Sequence, residues 1–470
     1  MLALETARHL RLRGHDVHVL TAEPDEDTPA HSPRRATLSP GDGCDVEPEL
    51  YEGIPVHRIR RSKERGIDRF RSHYNNAEIL AASRKLFRAL RPAVVHVFHL
   101  YRLSTAVVEA AQESGAKVVF TATDFWTICP TSLLRRHDNS MCGGPNWGQG
   151  NCLKCLANHA PPAARRVLQR LPGWVLSGAA ALSWAPLTSL ANKVRLLRTF
   201  LRRRGHMRNM LQSCDAIIAP TEIMRDMLTG NGVSPEKIVR LGYGLNPSYT
   251  DTYRTKRPSP EVRFGYIGQI AEHKGVHVLL QAFRLLRETA LPRPVSLRVW
   301  GDPAQQAGYT AWLRDLAAGQ PGVEFRGTFP NRQIGEIFTD IDALIVPSLW
   351  YENAPLVILS AFATGTPVIA TDVPGTAELI DHARNGLLFP RGDARGLAEQ
   401  LRRVASEEGL LGRLRAGIPR VKTMTEQAAE LECLYDRLLA GRAVSPPDDE
   451  GPGGLTTRTS GAISIGEEAI

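Results

Sequence analysis

The sequence predicts an α/β protein built from two doubly wound parallel sheets, and three observations support this prediction. Val- and Ile-rich runs that do not alternate with polar residues recur along the chain, as in strands buried on both faces. Helical patterns separate these runs, as in βαβ units. The length of 470 residues exceeds what one core usually organises. The predicted strands lie in the runs 93–100, 117–124, 216–222, 261–270, 295–302, 343–348 and 367–372.

The chain divides into two predicted domains followed by a helix and a tail. A polar segment at 246–260 lacks a core-forming pattern and is the predicted linker. We therefore expect domains at 1–245 and 261–422, and a helix at 423–442 that packs back on the first domain. The segment 443–470 is rich in Pro, Gly, Ser and Thr, which predicts disorder.

The formal net charge of +9 is concentrated in one part of the chain. Between Asp138 and Asp215 there are eleven Lys and Arg residues and no acidic residue. A local patch of this kind argues against a general nucleic-acid-binding protein. Within the predicted insertion 160–212, a helix carries Phe200 and Leu201 on one side and several arginines elsewhere. It either lies on an anionic membrane surface or forms a domain edge with a solvated charged face.

Four cysteines cluster in the loop 129–155 with the spacing C-x12-C-x9-C-x2-C. The Cys-x2-Cys pair is typical of half a tetrahedral zinc site, so we expect a structural zinc ion; an iron–sulfur cluster or free thiols are the alternatives. The candidate ligands are Cys129, Cys142, Cys152 and Cys155. The cysteine pattern and the absence of a recognisable secretory signal indicate a protein of the reducing cytoplasm, with or without peripheral attachment to the membrane.

The turn after the run 261–270 has the composition of a diphosphate-binding loop. Gly268 follows the strand and allows close backbone approach to a ligand, and Lys274 precedes a helix whose first amides are free. The alternative is an ordinary solvated loop.

A second strand-to-helix turn, "PSLWYENAPL", contains an acid between two apolar elements. Glu352 is placed to accept hydrogen bonds from sugar hydroxyls, and the helix begins at about Pro355. We expect Asn353 and the amides from Ala354 to Leu356 to face an anion. The alternative is a solvated loop acid.

The sequence from "FGYIGQIAEHKGVHVLLQAF" through "ALIVPSLWYENAPLVILSAFATGTPVIATDVPGTAELI" to "NGLLF" resembles the retaining nucleotide-sugar glycosyltransferases of family four, including members with an inserted Cys-rich loop. "LETARHLRLRGHDVHVLTA" and "AIIAPTEIMRDML" resemble their acceptor-side domain. The resemblance implies the GT-B architecture and front-face displacement without an enzyme nucleophile, a metal or another cofactor. It implies that Gly268 and Lys274 bind the donor diphosphate and that Glu352 holds the donor hexose.

The chain departs from the family pattern at four places. Ser360 stands where an acid usually binds the ribose, and Gln269 stands where an arginine commonly assists Lys274. Thr123 occupies a position that is often histidine, and the chain begins inside the family's first helix, so that its first strand is missing. We expect a mis-assigned start or a fragment. The predicted acceptor-side residues are His99, Thr123 and Asp124.

The sequence thus predicts a hexosyltransferase that uses a nucleotide-diphospho-sugar and a glycan or lipid-linked acceptor in cell-surface polysaccharide or glycolipid synthesis. Two alternatives remain. One is a non-catalytic or degraded relative that binds nucleotide sugar or glycan, and the other is an epimerase or phosphorylase on the same fold.

Overall fold

A computed structural model of the chain describes residues 2–22, 48–59, 67–183 and 192–444. The predicted tail lies outside these ranges except for its first two residues. The described strands are β1 Val19–Ala22, β2 Glu49–Tyr51, β3 Ile54–Ile59, β4 Val94–Val97, β5 Lys117–Thr121, β6 Ala216–Ala219, β7 Ile238–Arg240, β8 Val262–Ile267, β9 Val295–Trp300, β10 Val323–Gly327, β11 Ala343–Val346, β12 Val368–Thr371 and β13 Gly386–Phe389. The α-helices are α1 Leu2–Leu12, α2 Ile67–Ser72, α3 Ala77–Leu90, α4 Ala106–Glu113, α5 Gly150–Leu156, α6 Pro162–Arg170, α7 Gly173–Leu182, α8 Asn192–Ser213, α9 Glu222–Gly230, α10 Val276–Arg287, α11 Ala307–Ala317, α12 Ile334–Thr339, α13 Leu356–Ala363, α14 Ala394–Ser406, α15 Leu410–Ala416 and α16 Met424–Leu439.

The second domain is one six-stranded parallel sheet in the order β10-β9-β8-β11-β12-β13. Its central strand β11 explains why the sequence does not alternate. Ala343 and Ile345 pack into the core on one face with α10 and α14, whereas Leu344 and Val346 pack on the other face with α13. Both faces are covered by helices, so every residue of the strand is buried and apolar.

The first domain contains two described sheets rather than one. Strands β4-β5-β6-β7 are parallel, as predicted for β4, β5 and β6, and β1-β3-β2 form a separate small sheet. The sequence analysis missed β2 and β3, which pair antiparallel across Glu52 and Gly53. Both turn residues have positive φ, 49° and 79°, which is the geometry of a two-residue hairpin. β1 and β4 each have one strand neighbour among the described residues, so each is the edge of its sheet.

The C-terminal helix α16 lies against the first domain. Leu431 and Leu434 belong to a core that includes Val119 of β5 and Ile218 of β6. The helix begins at a capping box formed by Thr423 and Glu426. The chain therefore leaves the first domain, forms the second and returns, so two chain crossings connect the domains.

Polar contacts also join the domains along the cleft. The Glu378 carboxylate accepts hydrogen bonds from the backbone amides of Glu222 and Ile223, at 2.6 and 3.0 Å. These amides are the first of α9, so the acid caps that helix from the other domain and interacts favourably with its dipole.

The predicted basic helix is present as α8, and its apolar side contacts protein. Phe200 and Leu201 are buried together with Ala180 of α7, and Leu156 of α5 packs against them. This packing is that of the domain-edge alternative. Among the described helices, none is both long and apolar enough to cross a membrane.

We predict that His96 makes the fold sensitive to acid. Its ring lies between the Thr121 and Tyr435 hydroxyls, each at 2.6 Å, and burial lowers its pKa to about 3 from 6.5. Between these values the unfolded chain binds the extra proton, so this contribution to stability falls as the pH drops from 6.5 toward 3. The free energy of unfolding, measured with denaturant between pH 6.5 and 3, should therefore fall less steeply with decreasing pH in His96→Gln than in the wild-type protein. The exposed His382→Gln is the control, and an equal slope in both variants would contradict the assignment.

Candidate active site

A cavity of about 320 Å³ lies between the two domains at the carboxyl ends of β8 and β11. This is where open α/β sheets bind ligands. Its lining combines both domains and contains seven of the residues that the sequence predicted for donor binding. These are Gly268, Gln269, Lys274, Glu352, Pro355, Leu356 and Ser360.

The first wall of this interdomain cavity is the turn after β8. Lys274 ends a short 3-10 turn, and Gly275 follows with φ +73° as the N-cap of α10. A Cβ atom on Gly275 would lie 1.9 Å from the carbonyl oxygen of Pro347. Glycine is therefore required both by the backbone conformation and by the approach of the turn to the end of β11. This contact brings Lys274 to the Glu352 loop.

Glu352 accepts three side-chain hydrogen bonds at the cavity wall and is 6% exposed. Its Oε1 atom accepts from Lys274 Nζ at 2.7 Å, from Trp350 Nε1 at 2.9 Å and from the Ser348 hydroxyl. Lys274 also lies over the Trp350 ring, 4.8 Å from its centroid. Three donors on one oxygen fix the rotamer of the carboxylate, and Oε2 accepts no hydrogen bond from the described residues.

The backbone around Glu352 is held by a second glycine. Gly375 has φ +86°, and a Cβ atom there would lie 1.6 Å from the carbonyl oxygen of Glu352. The next residues turn sharply into α13, with Ala354 at φ 52° and Pro355 as the N-cap. The amide of Leu356, which the sequence predicted to face an anion, opens this helix at the cavity wall.

Asn353 does not line the cavity. Its amide nitrogen donates to the carbonyl oxygen of Ala122 at 2.7 Å, and its Oδ1 accepts from the Thr221 hydroxyl at 3.0 Å. The side chain therefore joins the Glu352 loop to the first domain. Ala354 is likewise absent from the lining, so the two residues shape the loop.

Ser360 lies on α13 and faces the cavity from a buried position, 4% exposed. Its hydroxyl donates to the carbonyl oxygen of Leu356 at 3.1 Å. The proton is therefore used within the helix, and the oxygen lone pairs remain available to a ligand.

The predicted acceptor-side residues are grouped at the end of β5, outside the cavity lining. His99 Nε2 lies 2.9 Å from Asp124 Oδ2, and the Tyr101 amide donates to His99 Nδ1. With Nδ1 accepting, the Nε2 proton donates to the carboxylate. Thr123 donates its hydroxyl proton to the Phe98 carbonyl, so its role here is to hold the loop. Because Asn353 bonds to Ala122, this group adjoins the Glu352 loop.

Three of the polar residues that line the cavity form a cluster that the sequence analysis did not identify. Glu5 of α1 is 3% exposed and accepts from the Tyr249 hydroxyl at 2.8 Å and from the Asn246 amide. Burial, with Glu5 adding to it, raises the pKa of Tyr249 to about 12. Glu5 lies more than 240 positions from Asn246 and Tyr249 in the chain, so no local pattern signalled the cluster.

The four cysteines of the loop 129–155 lie near one another in the first domain. Burial chiefly, and then the other three thiols, raise the pKa of Cys152, and burial raises that of Cys155 to about 11. Asn151 Nδ2 lies 3.7 Å from Cys142 Sγ. In the part of the chain that the structure describes, no three His, Cys, Asp or Glu side chains already form a ligand set for a metal.

Two family models match the chain. Residues 261–407 match "Glycosyl transferases group 1" and residues 1–146 match "Glycosyltransferase Family 4". Among curated relatives, the putative colanic acid biosynthesis glycosyltransferase WcaL of Escherichia coli K12 is 26% identical over 195 residues, 40% of this chain and 47% of WcaL. The amylovoran biosynthesis glycosyltransferase AmsK of Erwinia amylovora is 25% identical over 244 residues, 47% of this chain and 59% of AmsK. The chain spans about half the length of the curated relatives it matches.

Solved structures show the same fold. Sucrose-phosphate synthase from Thermosynechococcus elongatus aligns with a TM-score of 0.58 and 15% identity over 93% of each chain. Anabaena HepE, solved in complex with UDP and glucose, aligns with a TM-score of 0.54 and 15% identity over 82% of this chain and 87% of HepE. The two α/β domains, their cleft and these solved structures show the GT-B architecture, and each domain contains a match to a glycosyltransferase family model.

Proposed function

We propose that the protein transfers a hexose from a nucleotide-diphospho-sugar to a glycan or lipid-linked acceptor, with retention of configuration at the anomeric carbon. The observation that carries the proposal is the Lys274–Glu352 contact of 2.7 Å in the interdomain cavity. It places a full positive charge and a fixed carboxylate within one small cavity, as a ligand with both phosphate and hydroxyl groups requires.

The two ends of the donor take different partners in this proposal. The diphosphate lies against Lys274 and the free amides at the starts of α10 and α13, which supply positive charge. The hexose hydroxyls donate to Glu352, whose Oε2 accepts no hydrogen bond from the described residues. Because Oε1 is held by Lys274, Trp350 and Ser348, the carboxylate is positioned before the sugar arrives.

The proposed chemistry is a front-face displacement. The bond between the anomeric carbon and the phosphate oxygen breaks, the acceptor oxygen bonds to the same face, and the acceptor proton passes to the departing phosphate. Lys274 and the helix amides stabilise the negative charge on that phosphate, which is the main contribution asked of the protein. No enzyme nucleophile, metal ion or other cofactor takes part in this proposal.

The acceptor side of the proposal rests on His99 and Asp124, which adjoin the Glu352 loop. The Asp124 carboxylate, with the His99 ring at 2.9 Å, is able to bind an acceptor hydroxyl. WcaL and AmsK are described as glycosyltransferases of colanic acid and amylovoran biosynthesis, and this supports a polysaccharide acceptor.

We expect Lys274→Met and Glu352→Gln to lower kcat/KM by a factor on the order of 10² or more. The first variant removes the positive charge that stabilises the departing phosphate, and the second removes the carboxylate that holds Lys274 and the hexose hydroxyls. The assay is transfer and hydrolysis with a panel of nucleotide-diphospho-sugars, beginning with UDP-glucose, and product anomers are read by NMR. The exposed Lys85→Met is the control. Absence of turnover in the wild-type protein, with retained binding of a nucleotide sugar, would favour the non-catalytic alternative.

Ser360→Glu should improve donor binding. A carboxylate accepting from two ribose hydroxyls forms charge-assisted bonds worth about 1.5–3 kcal/mol, or roughly tenfold or more in KM. Ser360→Gln has a similar length without the charge and should not reproduce the gain. A large gain in kcat as well, especially together with Gln269→Arg, would indicate a degraded enzyme. Equal KM values for the donor in the Glu and Gln variants would contradict a contact between residue 360 and the ribose.

We also propose that the four cysteines bind a structural zinc ion. Four thiols are a suitable donor set, and the buried Arg203 supports the proposal. Burial lowers the pKa of Arg203 to about 10, and the nearby Cys129 makes the largest contribution in the opposite direction. No described carboxylate forms an ion pair with it, and a tetrathiolate zinc centre with its net negative charge would balance this guanidinium.

The zinc proposal predicts about one zinc per chain in reduced, purified protein, and loss of that zinc in the Cys152→Ser/Cys155→Ser variant. Inductively coupled plasma mass spectrometry measures the metal. The distant buried Cys214→Ser is the control. Metal content well below stoichiometry in wild-type protein prepared under reducing conditions would contradict the proposal.

A further inference from the structure

The helix α7 is apolar on the side that faces solvent as well as on the side that faces protein. Leu176, Ser177 and Ala180 are buried on its inward side, and no residue of the helix is charged. The outward residues follow one another at positions i, i+4, i+7 and i+8, are all exposed, and are Trp174, Gly178, Ala181 and Leu182. Trp174 is 76% exposed and Leu182 is 72% exposed. Since helices that are apolar all round are normally covered, this outward face has the character of a contact surface.

The inward side of α7 is fixed by close contact with the Cys-rich loop. A Cβ atom on Gly148 would lie 2.3 Å from Ser177 Cβ, and one on Gly150 would lie 2.3 Å from the carbonyl oxygen of Gly173. The approach of the helix therefore requires glycine at both loop positions. Trp147, next to Gly148 on the same loop, is also exposed. The apolar face thus belongs to a packed element, and a second exposed indole is carried by the loop that packs against it.

Arginines flank this face in the helix that comes just before it. α6 has no buried residue, and Arg165, Arg166 and Arg170 on it are exposed. In the part of the chain that the structure describes, none of the three forms an ion pair. No residue from 139 to 214 is acidic, so α6, α7 and the adjoining helices α5 and α8 contain no carboxylate. We call α6 together with the outward face of α7 the α6–α7 surface, and it combines exposed apolar side chains with positive charge.

This combination distinguishes between possible partners. A second copy of the chain would bring the same arginines toward each other, which is unfavourable. An anionic lipid bilayer suits both components, because tryptophan and leucine side chains enter the boundary between headgroups and acyl chains while arginines interact with lipid phosphates. α6 and α7 have 9 and 10 residues, too few to span a bilayer, so the fitting arrangement is a protein that lies on the membrane surface.

We propose that the α6–α7 surface docks the protein on an anionic lipid bilayer. Trp174 and Leu182 enter the interfacial region, and Arg165, Arg166 and Arg170 lie at the lipid headgroups. The inference goes beyond the proposed function and does not depend on it, because none of these residues lines the interdomain cavity. Docking of this kind holds the first domain at the bilayer.

Co-sedimentation of the full chain with phosphatidylcholine vesicles, with and without roughly one-third phosphatidylglycerol, tests the proposal. The wild-type protein should bind the anionic vesicles about tenfold or more tightly than the neutral ones. Trp174→Ser/Leu182→Ser should weaken binding to anionic vesicles on the order of tenfold or more, because it removes apolar area. The control Trp312→Ser/Leu439→Ser changes the same residue types at exposed positions elsewhere and should bind like the wild-type protein. Equal weakening in both variants, or no binding to anionic vesicles in the wild-type protein, would overturn the proposal.

The contribution of the arginines is measured with the same vesicles. Arg165→Gln/Arg166→Gln/Arg170→Gln should lose most of the preference for phosphatidylglycerol, since each charge near the surface contributes severalfold. A control variant removes the same net charge from exposed positions elsewhere and should keep the preference: Arg208→Gln/Arg314→Gln/Arg395→Gln. An equal loss in both triple variants would show that net charge alone attracts the protein and would contradict the assignment.

Insertion of α7 is measured by fluorescence quenching with vesicles whose phosphatidylcholine carries bromine on its acyl chains. Trp174→Phe keeps the face apolar, so it should still bind vesicles while losing more of the quenching than Trp312→Phe does. Equal quenching in the two variants would contradict insertion. Analytical ultracentrifugation tests the other occupant. Self-association that Trp174→Ser/Leu182→Ser abolishes, without vesicle binding by the wild-type protein, would identify a second copy of the chain and overturn the proposal.

Discussion

The candidate site depends on one carboxylate oxygen. Oε1 of Glu352 accepts from Lys274, Trp350 and Ser348, and these residues come from the ends of two neighbouring strands, β8 and β11. A buried carboxylate is costly unless its charge is paired and hydrogen-bonded. Meeting that requirement here fixes the turn after β8 against the loop after β11. The cavity and the direction of both helix starts follow from this arrangement.

Two glycines make the arrangement sterically possible. Gly275 and Gly375 both have positive φ. A Cβ atom at Gly275 would overlap the carbonyl oxygen of Pro347, just after β11, and one at Gly375 would overlap the carbonyl oxygen of Glu352. The same loop contacts the first domain through Asn353, and Glu378 caps α9 across the cleft. The interactions that hold the Glu352 loop thus lie beside those that join the domains, so the cavity and the interdomain contact are physically coupled.

The predicted site residues differ in how well local sequence could place them. Lys274, Glu352 and Ser360 follow apolar strands in the chain, and the carboxyl ends of neighbouring parallel strands meet, so strand order alone brings them together. Asn353 was expected to face an anion, but its side chain lies outside the cavity and bonds to Ala122 and Thr221 of the first domain. Glu5, Asn246 and Tyr249 had no sequence signal, because their cluster exists only when the first helix and the linker pack on the same cavity.

By itself the sequence determined the α/β class, most of the buried strands and the helix start at Pro355, because each depends on periodicity, glycine or proline within a few positions. The donor-side roles of Lys274, Glu352 and Ser360 stay predictions. Only the tertiary structure decided that the first domain contains two separate described sheets, that α8 turns its apolar side inward, and that α7 keeps Trp174 and Leu182 exposed. These features depend on contacts between residues far apart in the chain, and hydrophobic burial selects such contacts without leaving a local pattern.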